Sequence, residues 1–429
     1  VNLPFFIARR YFLSKRKKNF INVISILSML GVAFATAALI VVLSVFNGLE
    51  DLLRSLYTAF DPQLKIEATL GKSFVLTDSL KNKIKQVEGV DILTEVIEDY
   101  VYVRYRQPDA IPGEEGDEFA EHYQLPKGEA EMVVTMKGVS DNFVDQHRLD
   151  NNMVAGEMTL RKNNSPAAII GKGIRNTLSI STENDFVPLR IYYVKNLKGN
   201  ALNPASMYSQ QFVIPAGVFS IEKNYDENYI FVPLTVAQEL MNYGRKRTSL
   251  EVKLKAGASL SSTQQALKEA LGSTFKVLTN DEQHRDMYRI LQMEKLFMAL
   301  AFTLLMAIAS INIFFSLMML VIDKKKDIAI LSSLGAASGT IQKIFISEAL
   351  VISGIGALVG VAVGAGLCWL QDSVGLVDTG MENAIVLSYP VRLIFTDVLL
   401  VSLIIMVVTI VISWIPARAA ARSVEARVL

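Results

Sequence analysis

Gly71-Lys72-Ser73 ends as a phosphate-binding loop ends, with a lysine for the phosphate and a hydroxyl for its metal ion. That loop also needs a glycine five residues before its second, and position 66 is Ile66, so the run reads as a surface turn. His122, His147 and His284 stand far apart, and none has the HExxH spacing that sets two imidazoles around zinc. No Gly-x-Ser-x-Gly elbow or Cys/His pair occurs, and the single cysteine, Cys368, sits in an apolar run. No catalytic, cofactor-binding or metal residue is therefore assigned, and the chain is expected to be non-catalytic. Its formal net charge of +1 supports no nucleic-acid binding.

The spacing with most consequence is in a short segment near residue 330. Ile328, Leu331 and Leu334 recur at helical intervals after Asp327, three lysines precede them, and Gly335 stands where a helix would stop. Ser338 is then expected to cap the next helix. Such a helix lies on a membrane or docks into a groove of a soluble partner. Gly356, Gly360 and Gly364, four apart, leave one helix face without side chains, fit for packing within the chain or against another subunit. Asn312 and Glu348 are the polar residues to watch, since burying either in lipid is costly.

The elements that must position these residues are membrane helices. A chain of 429 residues with 51% apolar content concentrates its greasy residues at the N-terminus and in the last third. Crossing a hydrocarbon core takes about 20 apolar residues, and four runs without Asp, Glu, Lys or Arg qualify: 19–49, 296–322, 349–371 and 398–417. The first continues past Ala37 for too long to be a signal peptide. Lys and Arg cluster before the first run, between the second and third, and after the fourth, so those segments and both termini are expected to be cytoplasmic. Residues 47–285 carry 27 Lys and Arg against 32 Asp and Glu and fit the outside. The chain starts at Val1, so an initiating Met is expected before it.

The fold class expected is an integral membrane α-helical protein with four transmembrane helices and a large α+β extracytoplasmic domain inserted between helices 1 and 2. The order is a cytoplasmic segment 1–22, span 23–46, external domain 47–285, stalk and second span 286–322, a cytoplasmic helix 323–340, third span 341–371, external loop 372–396, fourth span 397–417 and tail 418–429. The two flanks of the external domain each read as strand, helix and strand, a βαβ-type module split by a mostly β insertion at about 107–247. That insertion opens on an acidic, Pro- and Gly-containing stretch, read as a mobile loop.

Several runs resemble the lipoprotein-releasing permeases LolC and LolE: Met293-Glu294-Lys295, Asn312-Ile313 with Ser316-Leu317, Asp327-Ile328-Ala329-Ile330-Leu331 and Leu334-Gly335-Ala336. Ile7-Ala8-Arg9-Arg10-Tyr11, Leu43-Ser44-Val45-Phe46-Asn47-Gly48 and Ile415-Pro416-Ala417-Arg418 are similar to that subfamily too. The element around Asp327 is shared with macrolide-efflux (MacB-like) and cell-division (FtsX-like) permeases. The resemblance implies a permease subunit of an ABC transporter in the inner membrane. It would extract lipoproteins and pass them to a periplasmic carrier for outer-membrane delivery.

The resemblance also implies partners. A cytoplasmic ATPase dimer, holding ATP-Mg that this chain does not bind, would dock on the coupling helix at Asp327, Ile328, Leu331, Leu334 and Gly335. A second permease subunit, the same or a paralogue, would complete a greasy cavity between first and second spans, in contact with membrane lipids. The segment matching the family's carrier hook is 195–209, with Lys195, Gly199, Asn203, Pro204 and Ser206. The alternatives are a MacB-like efflux or FtsX-like signalling permease, or a membrane receptor without transport.

Overall fold

The computed structural model describes residues 3–13, 20–106, 129–182, 187–195, 207–378 and 388–425. They form two compact units, one of Val1–Leu52 with Asp286–Leu429 and one of Leu53–Arg285.

The first unit is helical. Four helices are long and apolar enough to cross a membrane among the described residues: Phe20–Phe60, Arg285–Asp323, Ser338–Val374 and Phe395–Glu425, here the first to fourth span helices. The first has 41 residues, about 60 Å at the α-helical rise, roughly twice the hydrocarbon thickness. It is therefore more than a span. Val32, Leu39 and Leu43 of the first helix meet Met306, Ile313 and Leu317 of the second, Ala349 and Ala357 of the third, and Val401 and Ile405 of the fourth.

Lipid tails are as apolar as these side chains, so close packing has to hold the bundle together. The glycine face of the third helix provides it. A Cβ on Gly356, Gly360 or Gly364 would stand 2.7, 2.5 or 3.1 Å from the carbonyl oxygens of Met29, Ala33 and Ala37 on the first helix. Ser25 and Ser316 add a hydroxyl hydrogen bond of 2.7 Å between the first and second helices.

The second unit is built on strands β1 Leu64–Ala68, β2 Phe74–Val75, β3 Val90–Arg106, β4 Glu129–Val139, β5 Met153–Gly156, β6 Arg161–Lys162 and β7 Ser165–Gly171. There follow β8 Leu189–Val194, β9 Tyr208–Phe219, β10 Tyr229–Pro233, β11 Lys246–Arg247, β12 Ser249–Leu254 and β13 Phe275–Thr279. One edge of the main sheet runs β13-β1-β12-β3. Helix Asp78–Lys85 connects β1 to β3 and helix Leu260–Leu271 connects β12 to β13, so two split βαβ units interleave in a ferredoxin-like order. Thr77 and Ser259 cap these helices by accepting from Leu80 N and Ser262 N.

β3 continues into a second module. It pairs with β4, then β10, β7, β9 and β8 follow in turn, and β8 pairs back onto β3. Six strands thus close a barrel and remove their own edges. Alternate residues point inward, among them Val101, Val103, Tyr105, Val134, Met136, Leu189, Ile191, Ile230 and Val232. Closure explains why a 17-residue strand is needed at β3, since its first half serves one module and its second half the other.

Candidate functional site

Between the second and third span helices lies the short helix Lys325–Ser333. Ile328 is buried in a cluster with Leu320 and Val321 of the second helix, Ile341 and Phe345 of the third, and Ala417 and Ala420 of the fourth. Leu331 is half-buried and Asp327 partly exposed, whereas Ile330 and Leu334 face outward, Leu334 at 79% exposure. The helix closes in a Schellman motif: Ala336 N donates to Leu331 O at 3.0 Å and Gly335 N to Ser332 O at 2.9 Å. Gly335 takes φ +91°, a value that a residue with a Cβ rarely adopts. Ser338 is not the cap expected of it. Ala337 occupies that position with extended backbone, and Ser338 is the first helical residue.

At the opposite ends of the span helices a polar cluster ties three of them together. Lys295 Nζ donates to Asn47 Oδ1 at 2.5 Å, and Asn47 Nδ2 donates to Asp397 Oδ2 at 2.7 Å. Lys295 and Asp397 are 3.7 Å apart, Arg392 N donates to Ser44 O at 2.8 Å, and the Arg392 guanidinium pairs with Asp51. Gly48 lets the chain before the fourth helix lie directly on the first, since a Cβ there would be 2.5 Å from the Pro390 carbonyl.

In the second unit β8 and β9 pair in register through Val194 and Tyr208, and Lys195 N donates to Met207 O at 2.9 Å. Of the candidate hook, Lys195 is the exposed last residue before 196–206; Gly199, Asn203, Pro204 and Ser206 lie outside the described residues. Beside this pair, on the outer barrel wall, is a groove of about 600 Å³ lined by Tyr100, Tyr102, Arg104, Val133, Tyr192 and Tyr208 among others. Tyr192 sits between Tyr102 and Tyr208, and the Arg104 guanidinium lies over its ring.

Two further clusters are internal. The fully buried Glu251 carboxylate meets Lys137 at 2.6 Å and also pairs with Arg148, whose Nη1 donates to Phe60 O at 3.0 Å at the end of the first span helix. Burial alone would push the Glu251 carboxyl up, but the charges of Arg148 and Lys137 and their hydrogen bonds outweigh it and hold it down at about 2. His284 Nε2 meets Asp61 Oδ2 at 2.6 Å and its ring stacks on Tyr57 at 3.7 Å, while Tyr225 OH donates to the same carboxylate at 3.2 Å. Burial, then the Asp61 charge, raise the Tyr225 phenol far above its ordinary value. His147 pairs with Asp150 at the surface, and among the described residues no group of three or more His, Cys, Asp or Glu is placed to hold a metal.

Residues 25–270 match the MacB-like periplasmic core domain, and residues 299–424 match the FtsX-like permease C-terminal. The chain belongs to the MacB- and FtsX-like permease family. Along its whole length this permease is 26% identical to the lipoprotein-releasing system transmembrane protein LolE of Haemophilus influenzae, covering 100% of the chain and 99% of that protein. It is 24% identical to LolC of Xylella fastidiosa, covering 99% and 97%. The periplasmic region of MacB from Actinobacillus actinomycetemcomitans is similar at 10% identity and a TM-score of 0.33, covering 54% of this chain and 94% of that one.

Within the permease, two motif runs noted in the sequence meet in space. Asn47 and Gly48 come from one and Lys295 from another, and the cluster at the helix ends explains both. Asp397 and Arg392, which complete it, carry no signal in the sequence beyond being charges at the edge of an apolar run. In the sequence Glu251 is one charge of an alternating strand, and the outer tyrosines of β3, β8 and β9 are residue types common in any strand.

Proposed function

We propose that this permease is one subunit of an ABC transporter that extracts lipoproteins from the inner membrane and passes them to a periplasmic carrier. A separate ATPase dimer binds ATP-Mg and drives it; the permease itself binds no cofactor and catalyses nothing. The large domain lies in the periplasm between the first two spans, and both termini are cytoplasmic. The observation that carries this reading is the short helix Lys325–Ser333, whose buried Ile328 joins it to three spans while Ile330 and Leu334 stay exposed for a partner. End-to-end similarity to LolE and LolC supports the lipoprotein cargo.

A second permease subunit is supported by the outward faces of the first two span helices. Ile26, Leu30 and Phe34 line one, and Leu304, Ile308, Ile311 and Phe315 the other, with the Asn312 amide exposed in the same stripe. An amide facing hydrocarbon is unfavourable, so a subunit or a polar cavity covers it. Two such faces enclose an apolar space for acyl chains, each contributing about 0.8 kcal/mol per buried CH₂. Extraction against that energy requires ATP and an apolar receiver.

Co-purification of the tagged permease in mild detergent tests the reading, with wild type, Leu331→Asp and Leu334→Asp compared by mass spectrometry. An ATPase and lipoproteins or their carrier are expected with wild type, and the ATPase is lost from both variants. Absence of any ATPase from the cross-linked wild-type complex would refute it.

A further inference from the structure

Glu348 is a buried acid in the first unit that none of the clusters above employs. It sits in the third span helix at 4% exposure, and its Oε2 has no hydrogen-bond partner. Ile341, Phe345 and Glu348 follow one another at intervals of four and three and so share a helix face. The first two pack on Ile328 of the short helix. Lys324, the N-cap of that helix, lies one turn before Ile328, whose N–H donates to the Lys324 carbonyl at 2.9 Å. Here Lys324 pairs with Asp323 at 3.1 Å and Asp327 at 3.9 Å.

A carboxylate withdrawn from water without a partner is costly, and losing it for an apolar residue would remove that cost. Lysine is a point charge on a flexible stem, able to exchange one anion for another with a small movement of its backbone. We infer that Glu348 is a positioning residue for energy coupling. When the ATPase displaces the short helix, Lys324 exchanges Asp323 and Asp327 for Glu348 and ties the short helix to the third span. The inference rests on the proposal that this helix receives the ATPase. It makes the third span, whose glycine face lies against the first helix, the element that carries the movement onward.

The test uses the purified permease–ATPase complex in lipid nanodiscs, with lipoprotein release and ATP hydrolysis both measured per bound ATPase. Wild type is compared with Glu348→Asp, Glu348→Gln, Lys324→Met and the Gln/Met double variant. Release per ATP is expected to fall about tenfold or more in each neutral single variant, as for a buried charge deprived of its partner. Glu348→Asp stays within about threefold of wild type, and the double variant is no worse than the poorer single one, the mark of residues acting through one contact. A wild-type ratio in Glu348→Gln, or a double-variant loss equal to the product of the two single losses, overturns the inference. A role confined to folding would lower yield and leave the ratio of release to hydrolysis unchanged. If wild type itself releases no lipoprotein, the proposed cargo is wrong, and the same variants are read in ATP hydrolysis alone: non-additive losses uphold the pairing and multiplicative ones overturn it.

Discussion

Lys295 and Asn47 are 248 residues apart in the chain, yet the lysine ammonium donates to the asparagine carbonyl oxygen at 2.5 Å. Because Asn47 passes the interaction on to Asp397 at 2.7 Å, the ends of the first, second and fourth span helices are joined through one amide. Replacing Asn47 by Leu leaves both charges with only their 3.7 Å contact and should lower stability by about 1–3 kcal/mol. Thermal unfolding in detergent would show a lower midpoint; an unchanged midpoint would mean that the cluster holds nothing.

The glycines of the third span helix divide into two groups. A Cβ on Gly360 would stand 2.5 Å from Ala33 O, whereas one on Gly354 or Gly366 meets nothing within 4 Å. Gly360→Val should therefore force the first and third helices apart and cost about 1–3 kcal/mol or more. Gly354→Ala and Gly366→Ala should be neutral or slightly stabilising. The comparison is made by yield and thermal midpoint, and equal effects at all three positions would refute the assigned packing.

Acid should loosen the second unit through Glu251. Its carboxyl is held at about 2 against an ordinary 4.5, so its contribution to stability is fully present above about 4.5 and is lost as pH falls from there toward 2. Glu251→Gln leaves Lys137 and Arg148 buried without their anion and should cost about 3–5 kcal/mol at neutral pH. Hydrogen exchange of β12 and β4 in the full-length permease reads both effects. Protection that is as high at pH 3 as at pH 7 would contradict the sign.

Asn312 provides a test of the second subunit. With Cys368, the single native cysteine, replaced by Ala, an Asn312→Cys variant should cross-link through a short bifunctional maleimide to a second copy of itself, or to a paralogue given a cysteine at the matching position. Gel mobility then reports a product of about two permease masses. Modification by a lipid-soluble thiol probe without any cross-linked product would place the residue against lipid instead.

The spans were legible because uncharged runs of that length have few other uses, and the strands because their alternation survives in Val134, Ile191 and Ile230. The barrel was not. β3 serves two modules and β8 closes on it from a distance, and no local periodicity records which strands become neighbours. At Ser338 a good capping residue lost its place to Ala337, since the Schellman closure through Gly335 sets where the next helix begins. The short helix was visible as a pattern, but which of its apolar residues remain exposed depends on packing: Ile328 turned inward and Leu334 outward. Asn47 and Lys295 stand in readable motif runs and Asp397 does not, and their meeting was not legible because it is made by three helices drawn from opposite ends of the chain.

In the proposed mechanism ATP binding on a partner drives lipoprotein release through the short helix. Its most direct test is transfer of a fluorescent lipoprotein from proteoliposomes, containing the permease and its ATPase, to a soluble carrier. Transfer should require ATP and fall about tenfold or more in Leu334→Asp, whose side chain is exposed for the partner and supports no packing of its own. Equal transfer without ATP, or in that variant, would contradict the account.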